Sequence, residues 1–459
     1  MVWRISEVLD RAETGPICSE KDFDLKILLP KLKDVIKKYD IHFDPENIVV
    51  DDDSLVNNVW KAAVELYLDV GTFITTTNRR VLFEKDEIEE AMGTLPGKIT
   101  VGSGIDARDM FHREVEDTRR PFCRMNPGCV CDEDIFLPMC MAYLQEPMAD
   151  GTTAPILGEI EGRNITVGGP LEIKASVAHA MMYREAARRV GRPGTYKQGV
   201  GTAVSDAAQI AASNQEWGET LTDVRAVSSL AELKIDYSTL NKMMHYHTYG
   251  SIAYALSGPL LGGYAGGPEG TAVVGTAYHI MGTMVNQGNF TVYFPTDLKE
   301  GCNTTRRLLW VVSVSHQAVS KNSKALSLAN GFAAAGPCTK MVLYEGAAYG
   351  LTSTVSGASA LGVLLSARNR HRNRASPIEA RLCCQAGCGA AATGLSRKDT
   401  NELVKTLLSK YEQDIPNAPL GKQFQECYDV KSLRPTPEHR KLYSEVKQEL
   451  KDLGVPFSY

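Results

Sequence analysis

The stretch Pro259-Leu260-Leu261-Gly262-Gly263-Tyr264-Ala265-Gly266-Gly267-Pro268-Glu269 joins an apolar run, which begins at Ser257, to a glycine-dense turn and then to a helix-like apolar segment over 271–286. Glycines without a Cβ accept positive φ and let backbone come close to a ligand. Read as strand, turn and helix, the stretch is one unit of a parallel α/β fold, and it delivers Glu269 to the mouth of a barrel or sheet, where a carboxylate suits a cation. The plainer reading is a tight strand-to-helix turn carrying a solvated glutamate.

The same alternation extends in both directions. Strands are predicted over 195–200, 232–235, 259–263 and 290–294, and helices over 203–213, 271–286, 304–320, 338–350 and 357–368. With 459 residues available, this points to a parallel α/β barrel with extensions, two modest domains being the other arrangement the length allows. Apolar residues at helical spacing predict helices over 24–38, 54–70 and 84–92, so residues 1–95 form a helical extension capping the larger unit. Residues 96–459 then form the barrel with its C-terminal helices, all as one integrated domain. A strand is expected over 98–102, a hairpin over 156–167, and a helix over 171–190 that Gly191 and Pro193 terminate. Charged amphipathic helices at 398–411 and 437–453 close the chain. Alanine and glycine crowd the span 329–362, which predicts close packing of elements.

A net charge of -5 and a hydrophobic share of 43% describe an ordinary globular chain. That charge argues against non-specific nucleic-acid binding. His279, Asn286 and Arg306 break the apolar stretches before a membrane span is complete. The opening Met1-Val2-Trp3-Arg4-Ile5-Ser6-Glu7 has no signal-peptide pattern. Eleven cysteines, an odd number, read as reduced thiols in a cytoplasmic protein.

Cys123, Cys129, Cys131 and Cys140 are the best metal candidates by composition. Their spacings are five, one and eight intervening residues, which match no zinc or iron–sulfur pattern, so structural thiols and no metal are expected. Cys383, Cys384 and Cys388 are assigned to packing. His245 and His247 would share one side of a strand, an incidental pair without carboxylate partners. Gly199-Val200-Gly201 precedes a helix start but lacks the rest of a dinucleotide fingerprint. Asn214-Gln215-Glu216-Trp217 sets an acid beside a large aromatic, the pairing that holds alkylated ammonium groups; an acidic loop over a packed Trp217 explains it equally well.

Several ordered motifs carry a family resemblance across nearly the whole chain. They are Asp10-Arg11-Ala12, Thr76-Thr77-Asn78-Arg79, Gly191-Arg192-Pro193-Gly194, Glu232-Leu233-Lys234-Ile235-Asp236, the 262–269 turn, Ala335-Gly336-Pro337-Cys338-Thr339 and Phe424-Gln425-Glu426-Cys427-Tyr428-Asp429-Val430. With these the chain resembles the monomethylamine:corrinoid protein methyltransferases of methylotrophic methanogens. The resemblance implies a TIM-like (β/α)8 barrel, homo-oligomeric, that docks a separate corrinoid protein over its mouth and passes a methyl group from an amine to Co(I). Characterised members hold methylamine on pyrrolysine. Alignment back from Glu232 puts that position at Glu216, and this chain has no pyrrolysine there. Asn330 and Phe332 fall where the family has a Gln/Tyr pair, a second departure.

Amide is a very poor leaving group, whereas a quaternary ammonium leaves as a neutral amine. Loss of pyrrolysine therefore implies a quaternary or otherwise pre-activated methylated amine as donor. On this reading Glu269 orients the cation, Glu216 and Trp217 replace the missing contacts, Tyr264, Asn330 and Phe332 line the pocket, and Gly263, Gly266 and Gly267 admit the partner's corrinoid. Two rivals stay compatible with the sequence: a zinc enzyme acting on another methyl donor through the Cys123–Cys140 group, and a non-catalytic barrel that binds an amine or the corrinoid protein.

Overall fold

The run Ala360–Leu365 offers no polar side chain to water, and it forms a strand buried along its whole length. The helix expected over 357–368 is thereby corrected: a short continuous apolar run is the mark of a parallel strand covered on both faces. In this computed structural model, which describes residues 5–457, the strand belongs to a seven-stranded parallel sheet. The Met1–Arg4 part of the N-terminal reading lies outside the described residues. In spatial order the sheet runs Val224–Ser228, Ile252–Ser257, Phe290–Tyr293, Ser327–Phe332, Ala360–Leu365, Phe122–Met125 and Gly151–Thr152. Parallel bridges from Thr152 to Lys197 and from Gln198 to Val224 insert one further stave and close the ring. The result is the expected (β/α)8 barrel. Each stave is followed by a helix of the outer ring, from Glu133–Leu144 after the first to Pro377–Thr393 after the last.

Two predicted barrel strands belong elsewhere. Lys234–Ile235 pairs with Thr72–Ile74 of the N-terminal extension, which thus contains a small sheet as well as helices. Leu260–Leu261 pairs with Thr296–Asp297 at the rim. The true staves are Val224–Ser228 and Ile252–Ser257, whose small residues Ala226, Ser228 and Ala255 hide the usual apolar signature. The His245/His247 pair sits on the helix Tyr237–Thr248, where positions two apart are about 200° around the axis and cannot share a side.

The extension lies along the flank of the ring. Its helix Asp53–Val70 packs on Pro268–Met284 and Arg306–Asn322, while the C-terminal Arg397–Leu408 and Pro437–Asp452 pack on Lys340–Val355. One apolar cluster runs from Ile5 to Val455 through these layers. A second plugs the barrel interior with Phe122, Tyr196, Tyr254, Phe290 and Leu328. All eleven cysteines are unpaired; Cys123 Sγ lies 3.6 Å from Cys388 Sγ, away from Cys129 and Cys131. Among the described residues no group of His, Cys, Asp or Glu is arranged to hold a metal, and no helix is long and apolar enough to cross a membrane.

The plug sets a steric limit on the second stave. A Cβ at Gly151 would lie 1.8 Å from Cε1 of the fully buried Tyr196 ring. Gly151→Ala is expected to cost about 1–2 kcal/mol, measured by denaturant unfolding, because an overpacked core shifts rings and backbone together.

Candidate active site

Side chains alternate in and out along a barrel strand, so residues two apart at the strand ends face the same interior. At the C-terminal mouth these pairs are Ala226 with Ser228, Tyr254 with Leu256, and Asn330 with Phe332. Together with Arg124, Gln198 and Phe294 they line a cavity of about 630 Å³. Small residues on one stave and aromatics on its neighbours create the space. Gly199 at the end of the closing stave permits the approach of Tyr254, whose hydroxyl would lie 2.8 Å from any Cβ there.

The floor is polar. Arg124, 3% exposed, donates from Nη2 to Asn330 Oδ1, and Asn126 Nδ2 donates to the same oxygen at 3.2 Å. Thr153 Oγ1 in turn donates to Asn126 Oδ1 at 2.5 Å. Arg124 Nε has no partner among the described residues, and burial lowers the pKa of its guanidinium. The wall opposite is aromatic, with Phe294 and Phe332 centroids 5.7 Å apart. Backbone behind Phe332 is pinned by Glu345, which accepts from Ala334 N at 2.7 Å and Ala335 N at 3.0 Å. Burial pushes the Glu345 carboxyl up to about 7 against those donors.

A third side comes from the helix Tyr237–Thr248. Ser238, Thr239 and Lys242 line the cavity from one helical face, and Asp236 joins them from the capping position just before the helix. Asp236 Oδ1 caps the helix by accepting from Thr239 N at 2.8 Å. Lys242 is 6% exposed and has no hydrogen-bond or ion-pair partner among the described residues. Burial lowers its pKa, opposed by the more distant Asp236 and Asp206.

Of the residues singled out in the sequence, Asn330 and Phe332 line this cavity. Gly199, Val200 and Gly201, noted for preceding a helix start, line it too, as does Asp236; Glu216, Trp217, Glu269, Tyr264 and the 262–267 glycines do not, and each of these absences has a topological cause. Glu216 and Trp217 occupy the connection from helix Asp206–Ala212 to strand Val224–Ser228. A helix-to-strand connection returns to the N-terminal face of a barrel, opposite the mouth. There they line a separate surface depression with Arg184 and Arg188. Glu269 lies on the correct face but turns outward, accepting from Phe43 N at 3.1 Å in the extension. Tyr264 is exposed, its ring 5.7 Å from Lys234 Nζ. The glycines form an exposed turn beside the mouth: Gly262 and Gly266 take φ of +90° and +73°, Gly262 N donates to Gly266 O, Gly266 N donates to Gly263 O, and Gly267 caps Pro268–Met284. The sequence reading missed Arg124, Lys242, Tyr254 and Phe294. The inward pairs at the ends of correctly placed staves were the signal for Tyr254.

Comparison with known proteins gives this cavity its family. The family model "Monomethylamine methyltransferase MtmB" matches residues 3–455. Over 449 residues the chain is 32% identical to monomethylamine methyltransferase MtmB1 of Methanosarcina barkeri, covering 98% of this chain and 97% of that protein. It is 31% identical to MtmB of Methanosarcina mazei over the same share. Two solved structures superpose along the whole fold, the hydroxylamine complex of MtmB with a TM-score of 0.95 and the Methanosarcina barkeri enzyme with 0.94, each 31% identical and covering 99% of this chain and 98% of the other. With its closed barrel and its mouth cavity, the chain belongs to the monomethylamine methyltransferase family, MtmB, and is a methyltransferase.

Proposed function

We propose that this protein transfers a methyl group from a quaternary methylated amine to a corrinoid carried by a separate protein that docks over the barrel mouth, and that no pyrrolysine takes part. The carrying observation is the cavity itself: Tyr254, Phe294 and Phe332 supply ring faces for a fixed cation, and every lining position is one of the twenty ordinary residues. The corrinoid would supply Co(I) as the nucleophile at the methyl carbon, the electron pair of the broken C–N bond departing with the neutral amine. For that, this chain has to hold the donor with one methyl toward the mouth and exclude water, which are the tasks of ring faces and a recessed floor. No proton has to move, which accords with a lining that has no histidine and a single carboxylate, Asp236, engaged as a helix cap.

A macromolecular partner is supported by the rim. Val167 and Val204 line the cavity yet are 60% and 57% exposed, an apolar edge that a docked protein would cover. The test is methyl transfer to a purified corrinoid protein, followed by its visible spectrum, across methylamine, dimethylamine, trimethylamine and tetramethylammonium-type donors. Transfer from quaternary donors and none from methylamine is the expected result. Transfer from methylamine alone would overturn the donor assignment, and transfer from none would move the protein to a binding role.

A further inference from the structure

The charge balance of the cavity is uneven. Arg124 and Lys242 are both at least nine-tenths buried, and neither has a carboxylate within salt-bridge reach among the described residues. The one acid on the lining, Asp236, spends Oδ1 on the helix cap. Buried charges in proteins are ordinarily paired or hydrogen-bonded, because desolvation of a lone cation is costly. Arg124 has the amide oxygen of Asn330; the Lys242 ammonium has no hydrogen-bond or ion-pair partner among the described residues, only the charges of Asp236 and Asp206 at longer range. A donor with only a positive charge would enter a space already carrying an excess of cations.

We propose that the methyl donor is zwitterionic, its quaternary ammonium against the faces of Phe294 and Phe332 and an anionic group, a carboxylate or its equivalent, on the ammonium of Lys242. This rests on the quaternary-donor reading and narrows it to one chemical class. Lys242 lies on the helix Tyr237–Thr248 and the two rings at the ends of the staves Phe290–Tyr293 and Ser327–Phe332, so charge and ring faces come from separate elements around one space. The anion supplies the missing partner for Lys242, and the ammonium keeps the summed charge of the loaded cavity unchanged. Methyl loss then leaves a neutral tertiary amine with its carboxylate still held.

Calorimetric binding to the full chain, without corrinoid protein, separates this inference from catalysis. The probes are tetramethylammonium and three trimethylammonium carboxylates with one, two and three methylenes between nitrogen and carboxylate. At least one carboxylate probe is expected to bind tenfold or more tightly than tetramethylammonium, the usual scale of a charge-assisted hydrogen bond. Lys242→Met should erase that preference, while Lys242→Arg should retain most of it. Equal binding of tetramethylammonium, or a preference that survives in Lys242→Met, overturns the inference. If no probe binds, the quaternary-donor reading falls with it. If carboxylate probes bind as expected but no methyl is transferred, only the catalytic reading falls.

Discussion

Replacing Asn330 by leucine is expected to cost about 2–3 kcal/mol of folding stability and to abolish ligand binding in the barrel mouth. Asn330 Oδ1 is the only hydrogen-bond acceptor of the Arg124 side chain among the described residues, and it also accepts from Asn126. Leucine has the same branched heavy-atom shape but leaves a 3%-exposed guanidinium and an amide without an acceptor. A hydrogen bond to a charged group contributes about 1.5–3 kcal/mol, and the orphaned amide adds to the loss. Asn330→Asp is the informative partner. It keeps the acceptor oxygens, adds a counter-charge to Arg124, and should unfold at or above the temperature of the parent. It also removes the excess positive charge, so tetramethylammonium should gain affinity relative to the carboxylate-bearing probes. A leucine variant as stable as the parent would show that the Arg124 network contributes nothing; an aspartate variant with unchanged ligand preference would show that cavity charge does not select the donor.

The architecture is largely legible in the sequence. Helices with one apolar stripe, such as Asp53–Val70 and Pro437–Asp452, fall within a residue or two of the expected bounds, since their periodicity depends on local chain geometry. Strands were harder. Ala360–Leu365 read as helix because a strand covered on both faces has no alternation to display. Val224–Ser228 was passed over because its inward residues, Ala226 and Ser228, are small in order to leave the cavity open, so function removed the signal by which a strand is recognised.

The site was legible only where the strand was. Asn330 and Phe332 were placed by family likeness and do line the cavity. Glu216 rests on an alignment back from Glu232 and on its pairing with Trp217, Glu269 on its charge beside a glycine turn, and neither says which face of a barrel a loop reaches. The rule that decides it is directional: strand-to-helix connections rise at the mouth and helix-to-strand connections return below it. Glu216 follows helix Asp206–Ala212 and precedes strand Val224–Ser228, an order readable once that strand is recognised. Glu269 needed one more fact, that Phe43 of a segment more than two hundred residues away claims its carboxylate. Long-range contacts of that kind leave no trace in local pattern.

His439→Leu is expected to cost about 3–5 kcal/mol and to loosen the C-terminal helix, the range found when one partner of a buried pair is removed. Glu379 is 1% exposed and holds together three elements: it accepts from His439 Nε2 at 2.8 Å, from Cys338 N at 3.0 Å and from Ser376 Oγ. Burial pushes its carboxyl up, but His439 with Ser376 and Cys338 outweighs burial and holds it below the usual carboxylate range. A carboxyl lowered by folding contributes stability that is present above its unfolded pKa and is lost as pH falls through the folded value, so acid weakens this clasp. Without His439 the largest remaining influence is burial, which raises the carboxyl, and the sign reverses: the variant should lose stability as pH rises above the range in which the unfolded carboxyl titrates. Unfolding curves from pH 4 to pH 8 for parent and variant measure both slopes. Because the helix Pro437–Asp452 packs on Lys340–Val355, whose Glu345 pins the backbone behind Phe332, the same variant should also bind the carboxylate probes more weakly. Parallel slopes in the two proteins would show that Glu379 draws its low pKa from Ser376 and the Cys338 N–H alone.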